Sequence, residues 1–178
     1  MSLKEKLLET RVSLEKVDLS AVVPTNVLDE MEVKGRIAER LAYEWLCKVG
    51  VSFDEDFPRR TNGYNWNLTP QGILVTAGKR TVHEFDFLVS DEREPYVVEV
   101  KSLKLNGVES RIPRALSLAS ELYGREARML VMFPTYHNKV RDAERLNSIP
   151  RVEVVDLGYR KKQLLRAINE FYSLRARS

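Results

Sequence analysis

The chain has 178 residues, 43% hydrophobic and 31% charged, with 29 Lys and Arg against 26 Asp and Glu and a formal net charge of +3. That length and balance fit one globular domain with a full core. No apolar run is long enough to span a bilayer, and so small a net charge does not by itself mark a nucleic-acid partner. Cys47 is the sole cysteine, which excludes an intrachain disulfide and leads us to expect a reducing, cytoplasmic setting. The alternating charges at the N-terminus do not read as a secretory signal. Only two glutamines accompany the many Lys, Arg and Glu residues, a balance found in thermophilic proteins.

Leu3 to Val17 reads as a helix, with Leu3, Leu7, Leu14 and Val17 at three-and-four spacing. The seam is interrupted at Thr10, and so short a helix needs a partner surface, either the same helix of a second chain or a groove on its own domain. Ser20 to Pro24 breaks the pattern, dividing the chain into an N-terminal helical extension, 1–22, and a main domain, 23–178. A longer helix is expected from about Asn26 to Val49, with Ile37, Ala38, Leu41, Ala42, Trp45, Leu46 and Val49 as its buried stripe and Gly50 as its stop. Cys47 is assigned to the core side of that helix. Glu39 lies at the margin of the stripe, on the ridge of Tyr43, where it either points into a cleft or pairs with Arg36 or Arg40. Val51 to Phe57 reads as a short strand and Pro58 to Pro70 as a loop. Tyr64 and Trp66 in that loop either pack it onto the body or stack on bases. A strand follows at Gln71 to Thr76, then a turn at Ala77-Gly78-Lys79-Arg80.

Val82 to Lys101 puts charge into positions that otherwise read as buried strand. Two β-branched and aromatic runs joined by a charged turn predict a hairpin with strands at about Val82 to Val89 and Tyr96 to Lys101. Alternation sets Glu99 and Lys101 on one face and Val98 and Val100 on the other. The same parity groups Glu84, Asp86 and Leu88 opposite His83, Phe85, Phe87 and Val89, and His83 on the Phe face reads as structural. A carboxylate flanked by valines is costly to desolvate unless it meets a cation or stays near water. Either Glu99 and Lys101 form the wet face of an edge strand, or Asp86 and Glu99 hold a divalent metal with Lys101 beside its bound water.

Beyond a polar excursion at Lys104 to Gly107, Ser110 to Tyr123 predicts a helix with Pro113 in its first turn and Gly124 closing it. Ala127 to Phe133 is a continuous apolar strand, buried on both faces. His137 to Asn147 and Tyr159 to Leu174 read as helices around a strand at Arg151 to Val155, and the whole order is mixed α/β. His137, at a helix start, is unremarkable. No Gly-X-Ser-X-Gly elbow and no P-loop occurs.

Asp86, followed thirteen residues on by Glu99-Val100-Lys101, resembles the core of the PD-(D/E)XK nuclease superfamily, which includes archaeal Holliday-junction resolvases and many restriction enzymes. In that family an acid ends one strand, Glu-X-Lys lies in the next, and a further Glu stands on an upstream helix, where Glu39 falls. Phe85 takes the place of the name-giving proline. The RecB-like Gln four residues before a Tyr is missing, since Ala119 precedes Tyr123. The resemblance covers roughly Glu32 to Val155. It implies a restriction-endonuclease-like fold, a mixed central sheet flanked by helices, and a metal-dependent DNA endonuclease. It also implies magnesium or manganese held by Asp86, Glu99 and the Val100 carbonyl, with Lys101 positioning the attacking water and Glu39 giving an outer or second-metal contact. Products with 5′-phosphate and 3′-hydroxyl ends, and a homodimer that pairs two sites, follow from the same resemblance.

Arg59, Arg60, Lys79 and Arg80 bracket the region before this motif, and Arg111 and Arg114 open the segment after it. From Arg160 onward six basic residues face one acid, Glu170. Local clusters of this kind suit phosphate contacts, and solvated helix faces look the same. Two other readings stay open: a catalytically silent nuclease-fold module for DNA binding or assembly, and a protein-interaction module built on the N-terminal helix. Junction, flap, duplex end and specific site all remain candidate substrates, as does RNA.

Overall fold

The computed structural model describes residues 1–102, 107–135 and 140–177. Its helices are α1 (Leu3–Glu9), α2 (Glu30–Val49), α3 (Val108–Tyr123), α4 (Val140–Asn147) and α5 (Lys161–Ala176). Its strands are β1 (Ser52–Phe53), β2 (Arg59–Thr61), β3 (Tyr64–Thr69), β4 (Gly72–Ala77), β5 (Arg80–Phe85), β6 (Phe87–Asp91), β7 (Glu94–Val100), β8 (Arg128–Phe133) and β9 (Val152–Asp156). They form a five-stranded sheet in the order β1-β6-β7-β8-β9 and a four-stranded antiparallel sheet in the order β2-β3-β4-β5. β6 pairs antiparallel with β7, whereas β7, β8 and β9 run parallel, so the larger sheet is mixed.

Helices cover both faces of the larger sheet, which is why β7 and β8 are apolar on both sides. On one face α2 lays down Val33, Ile37, Ala38, Leu41, Ala42, Trp45 and Leu46. These share a core with Tyr96, Val98, Val100, Leu130, Met132 and Val155. The other face sets Leu88, Val97, Met129 and Val131 against α3, and the four-stranded sheet closes this second core with Trp66, Ile73, Val75 and Phe85. Each such large side chain contributes roughly 1.5–3 kcal/mol of transfer free energy, which is how two layers hold a strand end rigid. Asp29 caps α2 by accepting from the N–H groups of Met31 and Glu32, and Gly50, at φ 89°, ends it.

Several expected elements change. The N-terminal helix spans Leu3–Glu9 rather than Leu3 to Val17, and a short 3-10 turn follows at Leu14–Lys16. Leu3 and Leu7 are fully buried in the same core as α2, joined there by Val17, Leu19 and Val22, so the seam is covered by the chain's own domain. The region read as a loop from Pro58 to Pro70 is instead β2 and β3, joined by Asn62-Gly63 with both residues at positive φ. That dipeptide is the turn a two-residue hairpin demands. Trp66 in β3 is fully buried and is not free to stack on a base. Cys47 is exposed, not on the core side of α2. Pro113 falls in the second turn of α3, because the helix begins two residues earlier than Ser110. The expected excursion at Lys104 and the helix start at His137 lie outside the described residues.

The most consequential change is at Asp86. The strand expected from Val82 to Val89 is two strands in two different sheets, β5 and β6, and Asp86 is the single residue between them. The alternation therefore resets. Phe85 and Leu88 face one core while Phe87 and Val89 face the other, so His83 and Phe85 do not share a face with Phe87 and Val89.

Candidate active site

β7 is the middle strand of five, which removes the edge-strand reading of Glu99 and Lys101. Parallel neighbours leave a crevice outside the carboxyl ends of their strands, and Glu99, Val100 and Lys101 lie at that end of β7. Glu99 is 3% exposed. Its Oε1 meets two cations, Lys101 Nζ at 3.0 Å and Arg111 Nη1 at 2.9 Å. A carboxylate so buried is tolerable only with such partners. Arg111 comes from the start of α3 and also donates through Nη2 to the Glu84 carbonyl at 3.1 Å.

Asp86 reaches the same strand end from the junction of β5 and β6. Its Oδ2 accepts the Val100 N–H at 2.7 Å, so the acid is tied to the backbone of the Glu-X-Lys segment. Burial, together with the negative charges of Glu39 and Glu99, pushes its carboxyl well above the usual carboxylate range, against the pull of the Val100 N–H and Lys101. Glu39 reaches Asp86 from the margin of α2. Its carboxyl is raised as well, by burial first, opposed by Arg36 and by a hydrogen bond with Asp86. Arg36 Nη1 lies 2.8 Å from Glu39 Oε2. Glu39 thus does both things foreseen for it: it pairs with Arg36 and it faces the cleft.

That cleft, of about 160 Å³, has Glu39 and Asp86 on its wall with Gly72, Asp54 and Glu55. Gly72 has φ 139°, and a Cβ there would stand 2.3 Å from the Phe85 carbonyl oxygen. Only glycine lets the β3–β4 turn come this close to the junction that carries Asp86. Asp54 and Glu55 were not foreseen as part of the cleft. Nothing local marks them, since they follow a strand of two residues whose place beside β6 is set by pairing.

Asp54 binds Arg59 in an ion pair and accepts from the Tyr123 hydroxyl at 2.6 Å. Burial first, and then that bond, raise the phenol strongly. Arg59 also lies over the Phe57 ring, 4.5 Å from its centroid. Its role here is to pin the segment after β1, which takes it out of the free basic set. Arg60 donates to Asn65 at 2.9 Å on the outer face of the small sheet. Lys79 and Arg80 are exposed at the far end of β5, about 20 Å along the strand from Asp86 at roughly 3.3 Å per residue. The basic residues therefore do not form one patch. Arg111 adjoins the acids and Arg114 follows it on α3, bonded to the Val82 carbonyl, whereas Arg60, Lys79 and Arg80 stand apart from them.

Among the described residues, no three His, Cys, Asp or Glu side chains are grouped so as to hold a metal ion between them. Asp86 nonetheless stands beside Glu99, tied to the Val100 N–H, with Glu39 next to it. Burial is the first cause of the raised Asp86 and Glu39 carboxyls, and repulsion among the neighbouring acids adds to it; magnesium is commonly held by one or two carboxylates with water completing its shell.

Fold and site together define a mixed α/β protein with three acids and a lysine gathered at the end of its central strand. No protein-family model and no curated protein matches the sequence. Part of the chain is similar to the crystal structure of protein VC1899 from Vibrio cholerae, at 17% identity and a TM-score of 0.41, over 82% of this chain and 37% of that one. None of the described helices is long and apolar enough to cross a membrane.

Proposed function

We propose that the protein is a divalent-metal-dependent nuclease with a restriction-endonuclease-like core, hydrolysing phosphodiester bonds in DNA. The observation that supports this most is the meeting of Glu39, Asp86 and Glu99 from a helix, a strand junction and the central strand, with Lys101 3.0 Å from Glu99. Asp86, Glu99 and the Val100 carbonyl would hold magnesium or manganese, which supplies charge neutralisation at the phosphoryl oxygens and an acidified water. Val100 N–H keeps Asp86 aimed at the strand end. Lys101 orients the water and offsets charge gathering on the phosphoryl group, as a fixed cation in a partly dry site does well. Glu39 restrains Asp86 and offers an outer contact.

The test is cleavage of duplex, single-stranded and branched DNA by the full chain, with magnesium, manganese or a chelator. Cutting is expected only with a divalent ion, and Asp86→Ala, Glu99→Ala and Lys101→Ala should each lower it about a hundredfold or more. Calorimetry should show weaker metal binding for the two carboxylate variants and near-native binding for the lysine variant. Equal cutting by Glu99→Ala and the unaltered protein would overturn the proposal. One observation favours a second reading, a silent DNA-binding module: Glu99 Oε1 is already neutralised by both Lys101 and Arg111. DNA binding without detectable metal binding would select it.

A further inference from the structure

A second cavity opens next to the acids, between β5 and the start of α3. It measures about 470 Å³ and is lined by Val82, His83, Ser110, Arg111, Pro113 and Arg114. Arg111 is paired with Glu99, whereas Arg114 has no carboxylate partner among the described residues, so the cavity keeps an excess of positive charge that an anion would offset. The present contacts of the two guanidinium groups do not exhaust them. Arg114 gives Nη1 to the Val82 carbonyl at 3.4 Å, and Arg111 gives one nitrogen to Glu99 and one to the Glu84 carbonyl. A guanidinium carries five N–H donors in a planar fork, so each retains donors for a further acceptor.

The third wall is His83, only 6% exposed, whose Nε2 is buried with no hydrogen-bond partner among the described residues. Buried polar atoms in proteins are nearly always satisfied, and an orphan beside a cavity points to an absent occupant. Burial first, and then the charges of Arg111 and Arg114, hold the imidazole down to about 4. Ser110, Arg111, Pro113 and Arg114 all belong to the opening turns of α3, whose N-cap residue, Gly107, has no side chain to offer as a cap and whose dipole favours an anion at that end.

We propose that this cavity is a phosphate-binding subsite, in which Arg111 and Arg114 grip a backbone phosphodiester of the nucleic acid against the His83 ring, next to the bond being cut. Arg111 then serves two neighbours at once, Glu99 in the acid cluster and the flanking phosphate. That links the seating of the strand to the order of the site. The identity of the polymer rests on the nuclease reading, whereas the anion site stands on the cavity itself.

Inorganic phosphate is the first probe, added to the full chain at fixed pH and ionic strength while the His83 ring resonances are followed by NMR. A saturable shift is expected, weakened at least about tenfold in Arg114→Ala, because that exposed arginine loses a charge-assisted bidentate contact. No saturable shift, or an unchanged affinity in Arg114→Ala, would overturn the subsite. The second probe is duplex DNA in chelator, its affinity measured over a range of salt. Arg114→Ala should reduce the salt slope by about one, the mark of one lost phosphate contact. Phosphate binding with an unchanged salt slope would overturn the backbone assignment and leave free phosphate as the ligand. Both probes work without cleavage, so an inactive protein that passes them counts against the reaction and not against this site.

Discussion

Asp86 keeps a carboxyl among two others, a position that burial alone would penalise, because the Val100 N–H compensates one of its oxygens. Glu39 is the softer member of the group, tied to Arg36 on its own helix. Such an i,i+3 pair is worth only about 0.2–0.5 kcal/mol, so Glu39→Gln should barely move the thermal midpoint. If Glu39 serves the acid cluster, the same change should lower DNA cleavage by about a hundredfold; unchanged cleavage would reduce Glu39 to its ion pair. His83 carries a different prediction. Its folded-state value of about 4 lies below the ordinary 6.5, so between those limits the unfolded chain binds more protons than the folded one. Stability should therefore be lost as pH falls from about 6.5 toward about 4. His83→Phe, followed by urea unfolding in phosphate-free buffer across that window, should flatten the acid limb. An equally steep limb in the variant would show that other groups set it.

The β5–β6 segment is one continuous run of sequence that serves two sheets, and the switch occurs at the residue with the most chemistry. What permits the switch is the close passage of the β3–β4 turn at Gly72. Adding a methyl there forces the Phe85 carbonyl away and, with it, the backbone that aims Asp86. Gly72→Ala should cost at least about 2 kcal/mol of stability, from positive φ and overlap together. It should also depress cleavage more than a core variant of equal stability cost, such as one at Ile73. Matched losses in the two variants would mean that the turn supports the fold but not the site. α3 plays the complementary part, bringing Arg111 to Glu99 from the opposite face.

The first 22 residues fold into the principal core and not beside it. Leu3, Leu7, Val17, Leu19 and Val22 are buried with α2, α5 and the larger sheet. At about 1.5–3 kcal/mol apiece before entropic costs, their removal rivals the 5–15 kcal/mol that typically holds a domain. A chain beginning at Val23 should lose cooperative thermal unfolding or melt far below the full chain, followed by circular dichroism. An unchanged midpoint would make 1–22 a separable extension after all. A midpoint that rises with protein concentration would instead signal a second chain, the route of the expected homodimer.

The sequence by itself determined the long helix α2 with its buried stripe, the Gly50 and Gly124 stops, the buried β8, and the parity that sets Glu99 and Lys101 together. All of these are encoded by neighbours within a turn or two of chain, where periodicity and capping act. Asp86, Glu99 and Lys101 stood out locally as charges in an apolar strand pattern, whereas Glu39 drew notice through its place at the margin of the α2 stripe and through the family resemblance. The β2–β3 hairpin was missed: Asn62-Gly63 is a hairpin signal, but the polar residues around it led the segment to be read as loop. Only the tertiary structure decided that β7 is central, that the strand breaks at Asp86, that Arg59 belongs to Asp54 and Arg111 to Glu99, and that His83 shares a cavity with Arg111 and Arg114. Each of these depends on which distant segment packs alongside, and a parity argument fails wherever one residue passes the chain from one sheet to another.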